Sequence, residues 1–170
     1  MANPLLRDIK KLLTPLVGLR CWHVGTGELL GSSFGLALGR KHRRRFSLSN
    51  PTQNIEFREY MGEVSLLVWC TWRLDGPVEA VTSSDEDYEA MATGLKVLVG
   101  QKILKIEVSP PAWDLCITFS NDLQLRVFCD HVPGNPSFDG NWQARVRDTI
   151  VAVGPGYKWR TSHAETWYDR

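Results

Sequence analysis

Two Cys-x-His pairs are the residues of this sequence whose types and spacing best suit a metal ion. They are Cys21 with His23 and Cys129 with His131. Residues two apart on a β-strand point to the same face, so each pair could supply a thiolate and an imidazole to zinc. The usual structural zinc spacing, Cys-x₂₋₄-Cys, does not occur. We therefore expect core thiols beside half-exposed histidines, with no metal and no other cofactor.

A second chemical candidate is general acid–base catalysis by Asp130, His131 and Asp139, which lie in one loop rich in Pro, Gly and Asn. Carboxylates and imidazoles can transfer protons to and from a substrate. Such a loop also carries these residue types for turn formation, and the chain has no Gly-x-Ser-x-Gly nucleophile elbow. The sequence favours a protein that is not an enzyme, with a small enzyme of unknown reaction as an alternative.

The sharpest local feature is a basic run around His42 that places five cations in six residues. Its members are Arg40, Lys41, Arg43, Arg44 and Arg45. Leu36 and Leu38 precede it and Phe46 and Leu48 follow it in a strand-like alternation, so we predict a hairpin tip. Clustered cations can grip phosphates, or attract an acidic protein and speed its association. A solvated turn without a partner is the third interpretation.

An acidic stretch and an aromatic C-terminal tail complete the candidate binding residues. Asp85, Glu86 and Asp87 lie at the start of a predicted helix, where negative charge suits the positive end of the helix dipole. Together with the basic run, they would also allow two copies of the chain to associate as a homodimer. Trp159, Trp167 and Tyr168 are residue types that anchor protein interfaces, although a terminal strand covering the core edge would use them too.

The overall charge limits which partners the whole surface could bind. Twenty Lys and Arg stand against 19 Asp and Glu, a net charge of +1. A protein that binds nucleic acid or membrane over its whole surface is clearly basic, so any charge-driven contact must be local. No secretion signal and no apolar run of about 18 residues occurs, which predicts a cytoplasmic protein without membrane contact. Three of the four cysteines lie in apolar runs, which indicates reduced thiols.

The elements that must position these residues are two helices and a larger number of strands. One helix is predicted to begin at Asn3-Pro4 and to stop before Pro15. A second is predicted over 85–95, with Ser84 as its cap. Alternating apolar residues predict strands over most of the remaining chain. The clearest are 64–74, 103–108, 142–146, 149–153 and a hairpin of 115–119 with 123–127.

Three pairs of similar segments recur in one order, which predicts an internal duplication. They are 13–20 with 95–102, 36–48 with 115–127, and 62–68 with 140–146, at offsets of 82, 79 and 78 residues. The halves, about 3–75 and 84–168, would meet at the loop Asp75-Gly76-Pro77. Each would present an apolar face that it cannot cover alone. We therefore predict one domain over 1–170, a β-rich α+β fold in which two related helix-plus-antiparallel-β halves pack together.

The second half also resembles a group of small β-rich bacterial proteins of unknown function, several of which are toxin-immunity proteins. The likeness lies in Leu98-x-Gly100-x-Lys102, then the alternation from Leu115 to Leu125, then Trp142. Where that group carries Gly in the hairpin turn, this chain has Asn121-Asp122. The resemblance implies a protein that binds and blocks a cognate toxin inside the producing cell, and it transfers no site residues.

The sequence thus predicts an intracellular binding protein, an immunity-type inhibitor or a subunit of an assembly, that acts by contact with another protein. The contacts expected are the basic run, the acidic stretch and the aromatic tail. A nucleic-acid-associated protein that uses 40–45 is the alternative.

Overall fold

The computed structural model of the chain describes residues 4–27, 30–134 and 140–164, which form two antiparallel sheets and three α-helices. The strands are β1 Cys21–Gly25, β2 Phe34–Arg43, β3 Tyr60–Val68, β4 Thr71–Asp75, β5 Ala80–Ser83, β6 Ile103–Ser109, β7 Asp114–Phe119, β8 Gln124–Phe128, β9 Trp142–Val146, β10 Thr149–Gly154 and β11 Lys158–His163. One sheet has the order β1-β2-β3-β9-β10-β11 and the other β5-β4-β8-β7-β6. The predicted β-rich α+β class is confirmed.

The helices are α1 Pro4–Leu13, α2 Ile55–Glu59 and α3 Tyr88–Leu95, and short 3-10 turns at 14–16 and 96–98 extend α1 and α3. Pro4 at the start of α1 matches the prediction. The second predicted helix begins later than expected because Asp87, not Ser84, caps it. The Asp87 carboxylate accepts a hydrogen bond from the Ala90 N–H at 2.9 Å. The Ser84 hydroxyl instead accepts one from the Trp72 N–H at 3.2 Å.

The inner faces of the two sheets share one hydrophobic core, to which α1 and α3 contribute. Alternate residues of β3, β7, β8 and β9 are buried, as a strand covered on one face requires. Two fully buried tryptophans fill the centre. The Trp72 indole N–H donates to the Ser32 carbonyl at 2.6 Å, and the Trp142 indole N–H donates to the Trp113 carbonyl at 3.0 Å. Burial of both rings is therefore achieved without an orphaned donor.

The predicted strand 64–74 is in fact two strands that belong to different sheets. The chain leaves β3 at Trp69 and Cys70, whose N–H groups both donate to the Asn141 carbonyl at 2.9 and 3.3 Å. Asn141 is itself buried, with 1% of its surface exposed. A continuous run of β-forming residues carries no mark of this crossing, because the acceptor of these hydrogen bonds, Asn141, is distant in the sequence.

The expected strand around Phe46 and Leu48 is absent, and the basic run is not a hairpin tip. β2 continues through the run to Arg43, with a register shift between Leu38 and Lys41. Gly39 adopts a positive φ of +74°, a conformation that glycine reaches without strain. Residues 44–59, including α2, then connect β2 to β3. We call these residues the β2–β3 segment.

The two sheets do not divide at the predicted boundary. Asp75-Gly76-Pro77 belongs to the tight connection between β4 and β5, where the Gly76 N–H donates to the Glu79 carbonyl at 2.8 Å. Each sheet contains strands from before and after this loop. An isolated bridge between Arg20 and Lys102 links the chain just before β1 to the chain just before β6, one edge of each sheet.

All four cysteines are free thiols, as the sequence predicts. None of the helices among the described residues has the length and apolar content needed to cross a membrane.

Candidate functional site

The basic run divides into residues that hold the fold and residues that face solvent. Arg40 is exposed and its Nε lies 3.6 Å from the Glu63 carboxylate. Lys41 forms an ion pair with Glu56 of α2 and places its ammonium 5.0 Å from the centre of the Trp22 ring. Arg43 and Arg45 are exposed. The run therefore presents cations at the end of β2 while Lys41 ties α2 to the sheet.

Arg44 is the half-buried member of the run and fixes the base of the β2–β3 segment. Its Nε donates to the carbonyls of Phe57 and Tyr60 at 3.2 and 3.1 Å, and its guanidinium lies 5.1 Å from the centre of the Phe57 ring. Burial, and then the nearby positive charge of Arg145 on β9, lower the pKa of Arg44 below its usual value. Arg44 therefore brings positive charge to the outer face of the six-stranded sheet at an electrostatic cost.

The β2–β3 segment is ordered by its own hydrogen bonds. The Arg44 N–H donates to the Glu59 carbonyl at 2.8 Å, and the Leu48 N–H donates to the Arg58 carbonyl at 2.9 Å. Asn54 caps α2 by accepting from the Glu56 N–H at 2.8 Å. Two large apolar side chains project from this framework, Phe46 with 81% of its surface exposed and Ile55 with 69%.

An aromatic cluster beneath the segment was missed by the sequence reasoning. The His23 ring stacks on Phe57 with centres 4.0 Å apart and an interplanar angle of 13°, and Trp22 lies 6.3 Å from Phe57. Burial is the main cause of the lowered pKa of His23. The negative charge of Glu56 opposes this shift, and the positive charge of Arg44 adds to it. Among the described residues, no hydrogen-bond partner reaches Trp22 Nε1 or His23 Nε2, both of which are buried atoms.

This cluster overturns the expected common face of Cys21 and His23. A β-bulge between them pairs Cys21 with Leu38 and His23 with Ala37, adjacent residues that point to opposite faces of β2. Cys21 consequently lies in the core, where burial raises its thiol pKa to about 12, and His23 lies on the outer face. The pair cannot present two ligands to one metal.

The outer face of the six-stranded sheet carries a concave groove next to the β2–β3 segment. It encloses about 560 Å³. Small and apolar residues of the sheet line it, including Gly35, Ala37, Leu67 and Ile150, and Phe57 lines it from the segment. Its charged lining residues are Arg44 and Arg145. No sequence signal pointed to it, because the lining residues come from five strands and from the segments that connect them.

The acidic stretch has local structural roles and lies on the other sheet. Asp87 caps α3, and the Glu86 carboxylate accepts from the Thr82 hydroxyl at 2.7 Å. Asp85 is exposed. Because this stretch follows β5, an edge strand of the five-stranded sheet, it is not part of the surface that the basic run forms.

The aromatic tail contributes one described side chain to packing. Trp159 of β11 is partly buried against the core and meets Trp113 edge to face, with ring centres 6.5 Å apart. Trp167 and Tyr168 lie outside the described residues.

The residues considered for acid–base chemistry are engaged in loop structure. Asp130 accepts hydrogen bonds from the backbone N–H and the hydroxyl of Thr71. His131 Nδ1 lies 2.9 Å from the Gly140 carbonyl. Asp139 lies outside the described residues. Over 4–27, 30–134 and 140–164, no three His, Cys, Asp or Glu side chains gather closely enough to hold a metal.

The fold and this surface define a β-rich α+β protein that presents an ordered basic and apolar segment beside a charged groove. Comparison with protein-family models, with curated proteins and with solved structures gave no match for this chain.

Proposed function

We propose that the chain is a cytoplasmic protein-binding protein, an immunity-type inhibitor or assembly subunit, that recognises an acidic partner through the β2–β3 segment and the exposed cations beside it. It acts by contact, without catalysis. The observation that carries the proposal is the exposure of Phe46 and Ile55 on the ordered β2–β3 segment, which follows the exposed Arg43 at the end of β2.

The composition of this surface supports a protein interface. Aromatic residues and Arg are enriched at the energetic centres of interfaces, and burying a Phe side chain contributes roughly 1.5–3 kcal/mol. Arg43 is exposed at the end of β2 and adds a charge that attracts an acidic partner and raises the rate of encounter. Affinity would then come from the apolar side chains and association rate from the cations.

The order of the segment is a second support. The hydrogen bonds from Arg44 to Glu59 and from Leu48 to Arg58, together with the Asn54 cap, restrain the backbone before any partner binds. A restrained surface loses less conformational entropy on binding than a flexible loop does. The strands β7 and β8 are joined by the short turn Ser120–Asp122. Of the two hairpins β2–β3 and β7–β8, only the first carries a long ordered segment.

The proposal is tested with a partner recovered from the native host and then purified, so that affinity is measured between two defined proteins. We expect Phe46→Ser to weaken binding about tenfold at every salt concentration, which corresponds to about 1.4 kcal/mol. Arg43→Ser should weaken binding mainly at low salt, where charge attraction is strongest. Arg44 is left unchanged because it holds the segment in place.

Matched controls carry the same chemical change elsewhere. Lys105→Ser removes an exposed cation from β6, and Val78→Ser removes an apolar side chain that is 94% exposed in the β4–β5 connection. Both should bind as the wild type does. Equal weakening by test and control variants would refute a role for the segment. Retardation of single-stranded DNA or RNA at low salt that Arg43→Ser abolishes would establish the nucleic-acid alternative instead.

We also infer that the chain consists of two related units that exchange strands. Four hydrogen bonds around the Arg20–Lys102 bridge support this, because each bond has a counterpart between the residues 82 positions away. The Gly18 N–H donates to the Ile103 carbonyl at 2.8 Å, and its counterpart, the Gly100 N–H, donates to the Cys21 carbonyl at 2.7 Å. The Cys21 N–H donates to the Gln101 carbonyl at 2.9 Å, and its counterpart, the Ile103 N–H, donates to the Leu19 carbonyl at 2.8 Å. Gly18 and Gly100 also share a positive φ, +91° and +88°.

Sheet order supports the same inference and revises one of the predicted matches. β1-β2-β3 continues into β9-β10, and β6-β7-β8 continues into β4-β5. In this arrangement β3 corresponds to β8, and β4 corresponds to β9. Under this inference, matches of β3 with β8 and of β4 with β9 replace the predicted match of 62–68 with 140–146.

A further inference from the structure

The groove on the outer face of the six-stranded sheet combines an apolar floor with concentrated positive charge. Its volume of about 560 Å³ lies within the range of about 300–1,000 Å³ typical of small-molecule sites. The floor is formed by the half-buried side chains of Leu67 on β3 and Ile150 on β10, beside Gly35 on β2. These positions point away from the core, so the apolar surface is available to a ligand.

Arg44 and Arg145 bring the charge to this groove from different elements. Arg145 lies on β9 directly across from Ser65 of β3, and Ser65 also lines the groove. Arg44 enters from the end of β2, and the Phe57 and Tyr60 carbonyls fix its position through Nε. Within the described part of the chain, Arg44 forms no ion pair, and its side-chain hydrogen bonds come from Nε alone. Both terminal nitrogens of its guanidinium are therefore left to a ligand.

The two guanidinium groups repel each other, and a bound anion relieves that repulsion. Arginine remains protonated at neutral pH, so the charge cannot be removed by deprotonation. A carboxylate can accept two parallel N–H···O bonds from a guanidinium, which is a strong and directional arrangement. An ion that is polar on every side, such as phosphate, would leave the apolar floor uncovered.

We propose that this groove binds a small organic carboxylate with an apolar body. The carboxylate lies between Arg44 and Arg145, and the apolar body covers Leu67 and Ile150. The groove shares Arg44 and Phe57 with the β2–β3 segment, whereas Arg145 and Ser65 lie on sheet strands. Substitutions at Arg145 and Ser65 therefore test the groove without changing the exposed Arg43 and Phe46.

The test is isothermal titration calorimetry of the full chain with 3-phenylpropanoate, its neutral analogue 3-phenylpropanamide, and inorganic phosphate. We expect the carboxylate to bind at least about tenfold more tightly than either of the other probes. Arg145→Gln should weaken carboxylate binding about tenfold. Ser65→Phe keeps both arginines but fills the groove, and should abolish binding. Circular dichroism and the unfolding midpoint verify that each variant is folded.

Arg126→Gln is the matched control, because Arg126 lies on β8 of the other sheet and pairs with Asp75 at 2.8 Å. It should bind the carboxylate with wild-type affinity. The proposal is overturned by equal affinity for the carboxylate and the amide, or by unchanged affinity in folded Ser65→Phe. It is also overturned if no probe gives heat of binding up to about 10 mM, where even a weak fragment site would be occupied.

Discussion

At the scale of single residues, Arg44 and His23 show how the outer face of the six-stranded sheet holds polar side chains in half-buried positions. Both lie on the ring of Phe57, His23 by stacking and Arg44 by a cation–π contact. Burial lowers the pKa of each, because the charged form loses hydration that the protein replaces only in part. Arg44 remains charged, whereas burial favours the neutral form of His23.

His23 is expected to make the stability of the protein depend on pH. Its pKa in the folded state lies below the ordinary value of 6.5, mainly because of burial. The unfolded chain therefore binds the proton more readily, and the stabilising contribution is fully present above pH 6.5. It is lost as the pH falls from 6.5 through the folded-state pKa. Urea unfolding of the wild type at about pH 7.5 and about pH 5 measures this loss.

His23→Phe supplies the comparison, since a phenyl ring can stack on Phe57 but does not titrate. The loss of stability on acidification should be smaller in this variant than in the wild type. An identical loss in both proteins would show that His23 does not contribute to it.

At the scale of elements, α3 packs closely on β5 because Gly94 has no side chain. A Cβ at this position would lie 2.5 Å from both Cβ and Cγ2 of Thr82, a residue of β5 with 1% of its surface exposed. Helix propensity alone favours Ala over Gly by about 1 kcal/mol. Close packing of α3 on β5 opposes that preference. The balance between the two effects decides whether Gly94→Ala raises or lowers the free energy of unfolding.

Gly94→Ala is expected to lower the free energy of unfolding by about 1–3 kcal/mol, the usual range for overpacking. Thr93→Ala, at the adjacent exposed position, should leave stability unchanged or raise it slightly, because only helix propensity changes there. Chemical denaturation of both variants measures the two effects. A stabilised Gly94→Ala protein would mean that α3 can move away from β5 without loss.

At the scale of the whole molecule, the two sheets depend on each other because each contains strands from both sides of the loop at 75–77. β4 pairs with β8 in the five-stranded sheet, and β9 pairs with β3 in the six-stranded sheet. Neither half of the chain can complete a sheet from its own strands in this arrangement. The hydrophobic core consequently includes residues from both halves, such as Leu38 and Ile117.

The inference of two related units predicts the behaviour of a fragment. Residues 1–84 contain α1 and β1–β5, and two copies could pair β4-β5 of each with β3 of the other. We expect this fragment to form a folded homodimer in analytical ultracentrifugation, because each copy supplies the strands that the other lacks. A fragment of residues 1–69, without β4 and β5, should not dimerise. A folded monomer, or an unfolded chain, from residues 1–84 would count against equivalence of the units.

The sequence alone determined the elements whose signals are local. Proline and helical spacing defined α1, alternation and a polar turn defined the β7–β8 hairpin, and apolar surroundings indicated free thiols. The matched segments at 13–20 and 95–102 end at the bridge between Arg20 and Lys102, a contact that the match did not predict. Each of these signals depends on neighbours within a few residues, which is the range over which propensity and periodicity act.

Only the tertiary structure decided where strands divide between sheets and what the basic run does. The crossing at Trp69 and Cys70 depends on the distant Asn141, and the opposite orientation of Cys21 and His23 depends on a bulge against β2. The groove likewise exists because β2, β3, β9 and β10 are adjacent, which brings Arg44 and Arg145, 101 positions apart in the sequence, to one groove. Pairing register and side-chain burial between distant segments set these features, and local residue patterns do not encode either one.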